Sequence, residues 1–117
     1  MSEIKRPTNK HKGYHAHVYF DLESLEFATR LCEQNRDHFN LRMGRVHQKK
    51  VGPHSMWSCQ ITFSHKDFDR FVPWIDENRE DLSVLVHGLS GDNLADHTEH
   101  AYWLGTPRTL DITMFQA

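Results

Sequence analysis

The sequence has no hydrophobic run long enough to cross a membrane. Its longest apolar runs are four or five residues, whereas a membrane-spanning helix needs about 20. The first residues, Met1 to Pro7, also lack the apolar core of a secretory signal. These absences predict a protein that neither inserts into a membrane nor is secreted, and we expect it in the cytoplasm.

Cysteine and clustered positive charge are scarce as well. The two cysteines, Cys32 and Cys59, form no Cys-x-x-Cys motif, which favours reduced thiols that serve packing. The chain has 14 Lys and Arg residues against 16 Asp and Glu, for a formal charge of -2. Because no stretch shows the basic clustering that a phosphate backbone demands, we expect no nucleic-acid partner.

Histidine, by contrast, is abundant. The chain contains ten histidines, and no two are adjacent, so an affinity tag does not explain them. Many lie in short aromatic, glycine-flanked or acidic runs, at 14–20, 52–54, 84–88 and 96–100. Imidazole is neutral near pH 7, binds first-row transition metals and can also serve as an acid or a base. This distribution predicts a metal site.

A chain of 117 residues has the size of one domain. Residues 1–13 are polar and predict a flexible lead-in, so we expect a single domain over 14–117. Alternating apolar residues over 14–20 are typical of a strand with one core face. The helix that follows is expected to start near Leu25 and to run for about 12 residues.

The remaining predicted elements are a second helix, three strands and a C-terminal tail. A second helix is expected after Ser64, with a kink or restart at Pro73, which lacks an amide proton. The tail is expected to end in a strand-like segment over 110–115. Three further strands are predicted over 41–47, 56–63 and 82–87. The order strand, helix, strand, strand, helix, strand predicts an α+β ferredoxin-like βαββαβ sandwich, an antiparallel sheet with both helices on one face, plus a C-terminal extension.

The alternation of side chains along a strand predicts which histidines share a face of the sheet. In this topology the first and last core strands are antiparallel neighbours, so His15 and His17 lie beside His87 on the face opposite the helices. Cross-strand neighbours lie about 5 to 8 Å apart, which suits imidazoles that converge on one ion. His47 and His54 flank the hairpin, and strand rise alone leaves them about 10 Å or more from His87. Only loop folding or a partner subunit would bring His54 in.

Five runs of the sequence together resemble the DOPA 4,5-dioxygenase family. They are His-x-His-Val-Tyr-Phe at 15–20, Gly-Pro-His at 52–54, Leu-Val-His-Gly-Leu-Ser-Gly-Asp at 85–92, Asp-His-Thr-Glu-His at 96–100 and Ala-Tyr-Trp-Leu-Gly at 101–105. The resemblance implies a ferredoxin-like fold, an oligomer that we expect to be a homodimer, and an extradiol dioxygenase. Such an enzyme opens the ring of a catechol such as L-DOPA with dioxygen and non-haem iron(II).

The resemblance also implies roles for individual residues. It makes His17, His54 and His87 metal ligands, and His97, or else His100, the acid or base that handles the substrate proton. No carboxylate ligand is evident. Substrate contacts are expected from one guanidinium, which could hold a carboxylate, and from aromatic and imidazole rings. These are His15, Tyr19, Arg45, His47 and Trp103.

Two other functional classes remain open for the same residues. The chain could be a non-catalytic module that binds a metal or a small molecule, because ferredoxin-like sheets host many functions. It could also be a hydrolase with zinc at the same histidines. The sequence therefore leaves the metal open between iron(II) and another divalent ion such as zinc.

Overall fold

The computed structural model describes residues 6–115. Five strands, three helices and one 3-10 turn are present within this range. In chain order they are β1 (Gly13–Phe20), α1 (Leu25–Phe39), β2 (Arg42–His47), β3 (Trp57–Ser64), α2 (Phe68–Asn78), β4 (Val84–Gly88), α3 (Asn93–Asp96), β5 (Ala101–Leu104) and the 3-10 turn Thr113–Phe115. No helix in the described part of the chain is long and apolar enough to cross a membrane.

The strands form one antiparallel sheet in the order β2-β3-β1-β4-β5. The first four follow the ferredoxin-like order, so the predicted α+β fold class is confirmed. The C-terminal extension contributes β5, which pairs with β4 at the sheet edge. The core sheet therefore gains a fifth strand that the sequence pattern did not predict.

The two faces of the sheet bury different residues. Tyr14, Ala16 and Val18 of β1 are fully buried in the larger core. The helices contribute apolar residues at helical spacing to this core, as Phe71 and Ile75 of α2 show. Alternate positions on the strands point to the opposite face, which carries a smaller apolar cluster and the histidines. The members of that cluster are Tyr19, Leu85, Ala101 and Trp103, with Met56 and Leu110 packed against them.

Both long helices are more continuous than the sequence predicts. Helix α1 has 15 residues rather than about 12, because the polar stretch stays helical and Asn35 is buried and donates to the Leu31 carbonyl. Helix α2 runs unbroken through Pro73, so the predicted restart is wrong. Pro73 and Asp69 are both exposed, and water can therefore satisfy the Asp69 carbonyl, which has no amide partner at position 73.

The predicted strand over 110–115 is also wrong. Leu110 forms a single bridge with His54, and the chain then turns into a short 3-10 helix. The Asp111 carboxylate accepts hydrogen bonds from the backbone amide and the hydroxyl of Thr113. Such a local side-chain turn competes with strand pairing, which explains why the apolar alternation does not form a ladder.

The predicted lead-in lies partly outside the described residues, because the structure describes the chain only from residue 6. Part of the described lead-in contacts the domain. The backbone amides of Lys10 and His11 donate to the Tyr14 hydroxyl at 2.7 and 2.8 Å. Within the larger core, Cys32 and Cys59 are free and buried, as the lack of a Cys-x-x-Cys motif predicts.

Candidate metal centre

Three histidines converge on the face opposite the helices. Within residues 6–115, His15, His17 and His87 form a group whose ligand atoms all lie within 4.8 Å of one another. The register pairs His15 directly with His87, and His17 lies two residues further along β1. Strand parity therefore predicts this group correctly.

The closest pair has the spacing of two ligands on one ion. The Nε2 atoms of His17 and His87 are 3.1 Å apart. Metal–nitrogen bonds of about 2.1 Å place two ligand nitrogens about 3.0 Å apart at a right angle and about 3.4 Å apart at a tetrahedral angle. These donors therefore fit a first-row transition metal without rearrangement of the strands.

Backbone contacts fix which nitrogen of His87 is available. Its Nδ1 lies 3.0 Å from the carbonyl oxygen of Gly88, and because a carbonyl only accepts, Nδ1 carries the proton. The neutral ring then presents the Nε2 lone pair to His17, which donates Nε2–H to it. Metal binding requires His17 to carry its proton on Nδ1 instead.

Loop folding brings His54 to the same cluster. Its ring centroid lies 4.1 Å from that of His17, and its Nδ1 is 2.7 Å from the Tyr19 hydroxyl. Gly52 turns the loop with a left-handed φ of 57°, and the bridge to Leu110 holds the loop inward. The separation expected from strand rise alone is therefore wrong for His54, although His54 lies outside the tight group of three.

His97 joins the cluster from the end of α3. Its ring centroid lies 4.4 Å from that of His87. Its Nδ1 is 2.7 Å from the carbonyl oxygen of Asn93, so Nδ1–H donates and the Nε2 lone pair is left available. This arrangement suits a base beside the candidate metal position.

Burial keeps the cluster neutral. It lowers the pKa values of His54 and His87 to about 4 and holds that of His17 well below the ordinary value, with His54 and His87 adding repulsion. Burial and the nearby His97 also lower the pKa of His15. Neutral imidazoles are the form that binds metals, so the site is prepared for a cation at pH 7.

The nearest carboxylate is already engaged. Asp96 is buried, and both of its carboxylate oxygens accept the backbone amide of Ser90, while Oδ1 also accepts the Ser90 hydroxyl. It therefore fixes the loop between β4 and α3. Glu99, the other nearby carboxylate in the sequence, is exposed. The histidine-rich site predicted from the sequence agrees with this geometry.

The family assignment follows from the match to known proteins. The profile of the Dopa 4,5-dioxygenase family matches residues 14–114. The chain belongs to this family. A DOPA 4,5-dioxygenase of Amanita muscaria is 29% identical over 111 residues, which cover 86% of this chain and 48% of that protein. An uncharacterized 21.2 kDa protein of Botryotinia fuckeliana is 33% identical over 114 residues, which cover 87% of this chain and 62% of that protein.

A solved structure extends the likeness to the whole fold. A crystal structure of a candidate dioxygenase from Nostoc punctiforme is 40% identical, with a TM-score of 0.85. The alignment covers 95% of this chain and 96% of that one. The chain thus spans about half to two thirds of the curated relatives and nearly all of this solved relative.

The other predicted site residues of this Dopa 4,5-dioxygenase family member fall into two groups, one beside the histidines and one away from them. Tyr19 and Trp103 are buried beside the histidines, with ring centroids 5.6 Å apart. His47 lies close enough to His54 to lower its pKa. Arg45 is exposed on β2. The ring of His100 lies against that of His11, with centroids 4.5 Å apart, and the structure shows no ring contact between it and the cluster.

Three contacts were not predicted from the sequence. Phe115 stacks on His97 at 4.7 Å, and Leu110 packs into the apolar cluster beside the histidines. No pattern in the sequence points to either contact, because both depend on how the tail crosses the sheet. The third contact is made by His11, which is half-buried and has its Nε2 3.2 Å from the Tyr102 hydroxyl.

Proposed function

We propose that the chain is a non-haem, metal-dependent extradiol dioxygenase that opens the ring of a catechol, with iron(II) as the metal. The observation that carries the proposal is the 3.1 Å pair of Nε2 atoms on His17 and His87, set beside His15 in a family named for a dioxygenase. Because two curated relatives extend well beyond this chain, the activity of the whole protein is part of the proposal.

We assign His15, His17 and His87 as the ligands. Only these three converge within 4.8 Å in the described part of the chain. His54 is the alternative third ligand, as the sequence predicts, but its Nδ1 contacts the Tyr19 hydroxyl. This contact suits a role in orienting the bound substrate or the His17 ring.

The remaining residues supply proton transfer and a dry cavity wall. When bound, iron(II) would supply a binding site for both catechol oxygens and the electrons that activate dioxygen. His97 would accept a proton from a catechol hydroxyl at Nε2, since Asn93 holds the proton on Nδ1. Tyr19 and Trp103 would pack against the ring and exclude water.

The ligand assignment is tested by metal analysis of the purified protein. We expect His17→Ala and His87→Ala to lose stoichiometric iron(II) after anaerobic loading, and His15→Ala to lose more than His54→Ala. His38→Ala, on the exposed side of α1, is the matched control and should bind metal like the parent chain. Circular dichroism must show that each variant is folded. Full metal retention in both His17→Ala and His87→Ala would contradict the site.

The activity is tested with oxygen uptake. The iron(II)-loaded protein, mixed with a catechol and then with air, should consume one dioxygen per catechol and give a yellow ring-opened product. Lack of uptake with every catechol would favour a non-catalytic binding module. Because zinc cannot take part in the redox step, a protein that holds zinc at these histidines, takes up no dioxygen after iron(II) loading and catalyses a hydrolysis would instead be a hydrolase. The homodimer and the cytoplasmic location remain predictions, and size-exclusion chromatography with light scattering checks the first.

A further inference from the structure

His54 differs from its neighbours in the kind of group that its Nδ1 faces. The Nδ1 atoms of His87 and His97 face backbone carbonyl oxygens, which can only accept a hydrogen bond. The Nδ1 of His54 instead faces the hydroxyl of Tyr19 at 2.7 Å. Because a hydroxyl can donate or accept, the position of the His54 proton depends on the direction of this one hydrogen bond.

The surroundings of Tyr19 decide that direction. Tyr19 is only 1% exposed, and within residues 6–115 the structure shows no other hydrogen bond of its hydroxyl. Burial also raises the pKa of this phenol, so the hydroxyl keeps its proton. If His54 donated from Nδ1, the Tyr19 proton would be buried without an acceptor, an arrangement that folded proteins avoid. Tyr19 therefore donates to Nδ1 of His54.

The single proton of the neutral His54 ring then lies on Nε2. Burial lowers the pKa of His54 to about 4, so the ring is neutral at pH 7, and a neutral ring whose Nδ1 accepts must carry its proton on Nε2. In the described part of the chain, the only wholly buried side-chain atom without a partner is Asn35 Oδ1. The unpartnered Nε2 of His54 is therefore open to solvent, and it presents an N–H rather than a lone pair.

This proton position decides whether His54 can bind a metal. A metal needs an imidazole lone pair, but in His54 one nitrogen accepts from Tyr19 and the other carries the proton. The His54 ring is nevertheless close, with its centroid 4.1 Å from that of His17. A fourth imidazole would close a tetrahedral site of the kind that holds structural zinc, whereas three protein ligands leave a position open.

We propose that Tyr19 is a positioning residue that keeps His54 off the metal, so that three histidines hold the ion and His54 offers Nε2–H to an anionic oxygen of a bound ligand. Hydrogen bonds to a charged acceptor are the stronger kind. His97, whose Nε2 lone pair is available, would then accept a proton at the centre while His54 donates a hydrogen bond there. This proposal rests on the proposed function, because it assumes that His15, His17 and His87 hold the metal.

Nitrogen-15 NMR of the metal-free protein near neutral pH tests the proton position. The parent chain should show the His54 proton on Nε2, with His54→Gln identifying its signals. Tyr19→Phe removes the donor and should move His54 toward the form protonated on Nδ1. Tyr102→Phe is the matched control, because it removes a hydroxyl that lies 3.2 Å from Nε2 of another histidine, His11, and it should leave the His54 signals unchanged. A His54 proton on Nδ1 in the parent chain would overturn the proposal.

Zinc affinity, measured by competition with a chromogenic chelator, tests the consequence for the metal. Tyr19→Phe should bind zinc about tenfold more tightly than the parent chain, and Tyr102→Phe should bind it like the parent. Adding His54→Ala to Tyr19→Phe should cancel the gain, while His54→Ala alone should keep the parent affinity. Circular dichroism checks that each variant is folded.

The outcomes separate this proposal from the proposed function. Equal zinc affinity in Tyr19→Phe and Tyr102→Phe, or a large loss of zinc in His54→Ala alone, would overturn the role of Tyr19 even in an active dioxygenase. If the parent chain binds neither iron(II) nor zinc, the proposed function fails, and the NMR of the metal-free chain still decides whether Tyr19 sets the proton position of His54.

Discussion

At the scale of single residues, backbone carbonyls set the chemistry of the histidine face. Gly88 holds the Nδ1 proton of His87, and Asn93 holds that of His97. Because a neutral imidazole has one N–H, each contact leaves the Nε2 lone pair available. In metal sites, the histidine nitrogen that does not bind the ion usually donates to a carboxylate or a carbonyl. Here main-chain carbonyls accept that hydrogen bond.

Gly88 has a further role that a single substitution can test. A Cβ atom built at this position would lie 2.5 Å from the ring of His11, so Gly88→Ala must displace that ring or the end of β4. We expect a loss of about 1 to 3 kcal/mol in the free energy of unfolding, together with weaker metal binding because the Gly88 carbonyl orients His87. Urea unfolding and metal titration measure the two effects.

Two variants control this prediction. Gly44→Ala, whose added Cβ would lie 3.5 Å from its nearest neighbour, should have a much smaller effect. The double variant His11→Ala with Gly88→Ala should recover part of the lost stability, since the clashing ring is gone. If Gly88→Ala and Gly44→Ala unfold at the same urea concentration, the close contact does not constrain the strand.

At the scale of elements, the segment after β5 covers the histidine face. Gly105 turns the chain with a φ of 79°, Leu110 packs against the apolar cluster, and the Asp111 amide donates to the Pro53 carbonyl at 2.8 Å. The segment therefore connects the sheet edge to the loop that carries His54. It is held by a few hydrogen bonds rather than by a strand ladder.

Truncation after Gly105 tests how much this segment contributes. We expect a lower melting temperature and a red shift in tryptophan fluorescence, because Trp103 is only 8% exposed and would lose its cover. Met114→Ala is the matched control, since Met114 is 54% exposed and should matter little. A truncated chain with unchanged fluorescence and melting temperature would show that the segment does not cover the sheet.

Local sequence patterns predicted the four core strands and the group formed by His15, His17 and His87. The position of His54 and the course of the chain at Pro73 depend instead on tertiary contacts. Alternation along β1 placed His15 and His17 on the face of His87 because side-chain direction in a strand depends only on parity. The position of His54 could not follow from the same rule, since a loop with a left-handed glycine and a bridge to Leu110 carries it inward. Pro73 likewise stays inside a helix because packing of the apolar stripe outweighs its local cost.

At the scale of the whole molecule, one sheet separates an ordinary apolar core from a dry face lined with imidazoles. Helices α1 and α2 bury the first face, while β5 and the segment after it shield the second. His17, His54 and His87 are each less than a tenth exposed. Burial on this scale penalises the charged ring, so the packing around these histidines makes the metal-free fold sensitive to acid.

The metal-free protein should therefore lose stability as the pH falls from about 6.5 to about 4. An unfolded histidine titrates near 6.5, whereas burial lowers the pKa values of His54 and His87 to about 4 and that of His17 well below its ordinary value. In this window the unfolded chain binds protons that the native chain does not. The free energy of unfolding therefore decreases as the pH decreases, by up to about 1.4 kcal/mol per pH unit for each histidine.

Urea unfolding between pH 7.5 and 4.5 measures this slope above the range in which most carboxylates titrate. His87→Asn removes one titrating group and should reduce the slope, whatever its effect on absolute stability. A parent chain whose stability is flat between pH 6.5 and 4.5 would contradict the burial of neutral histidines.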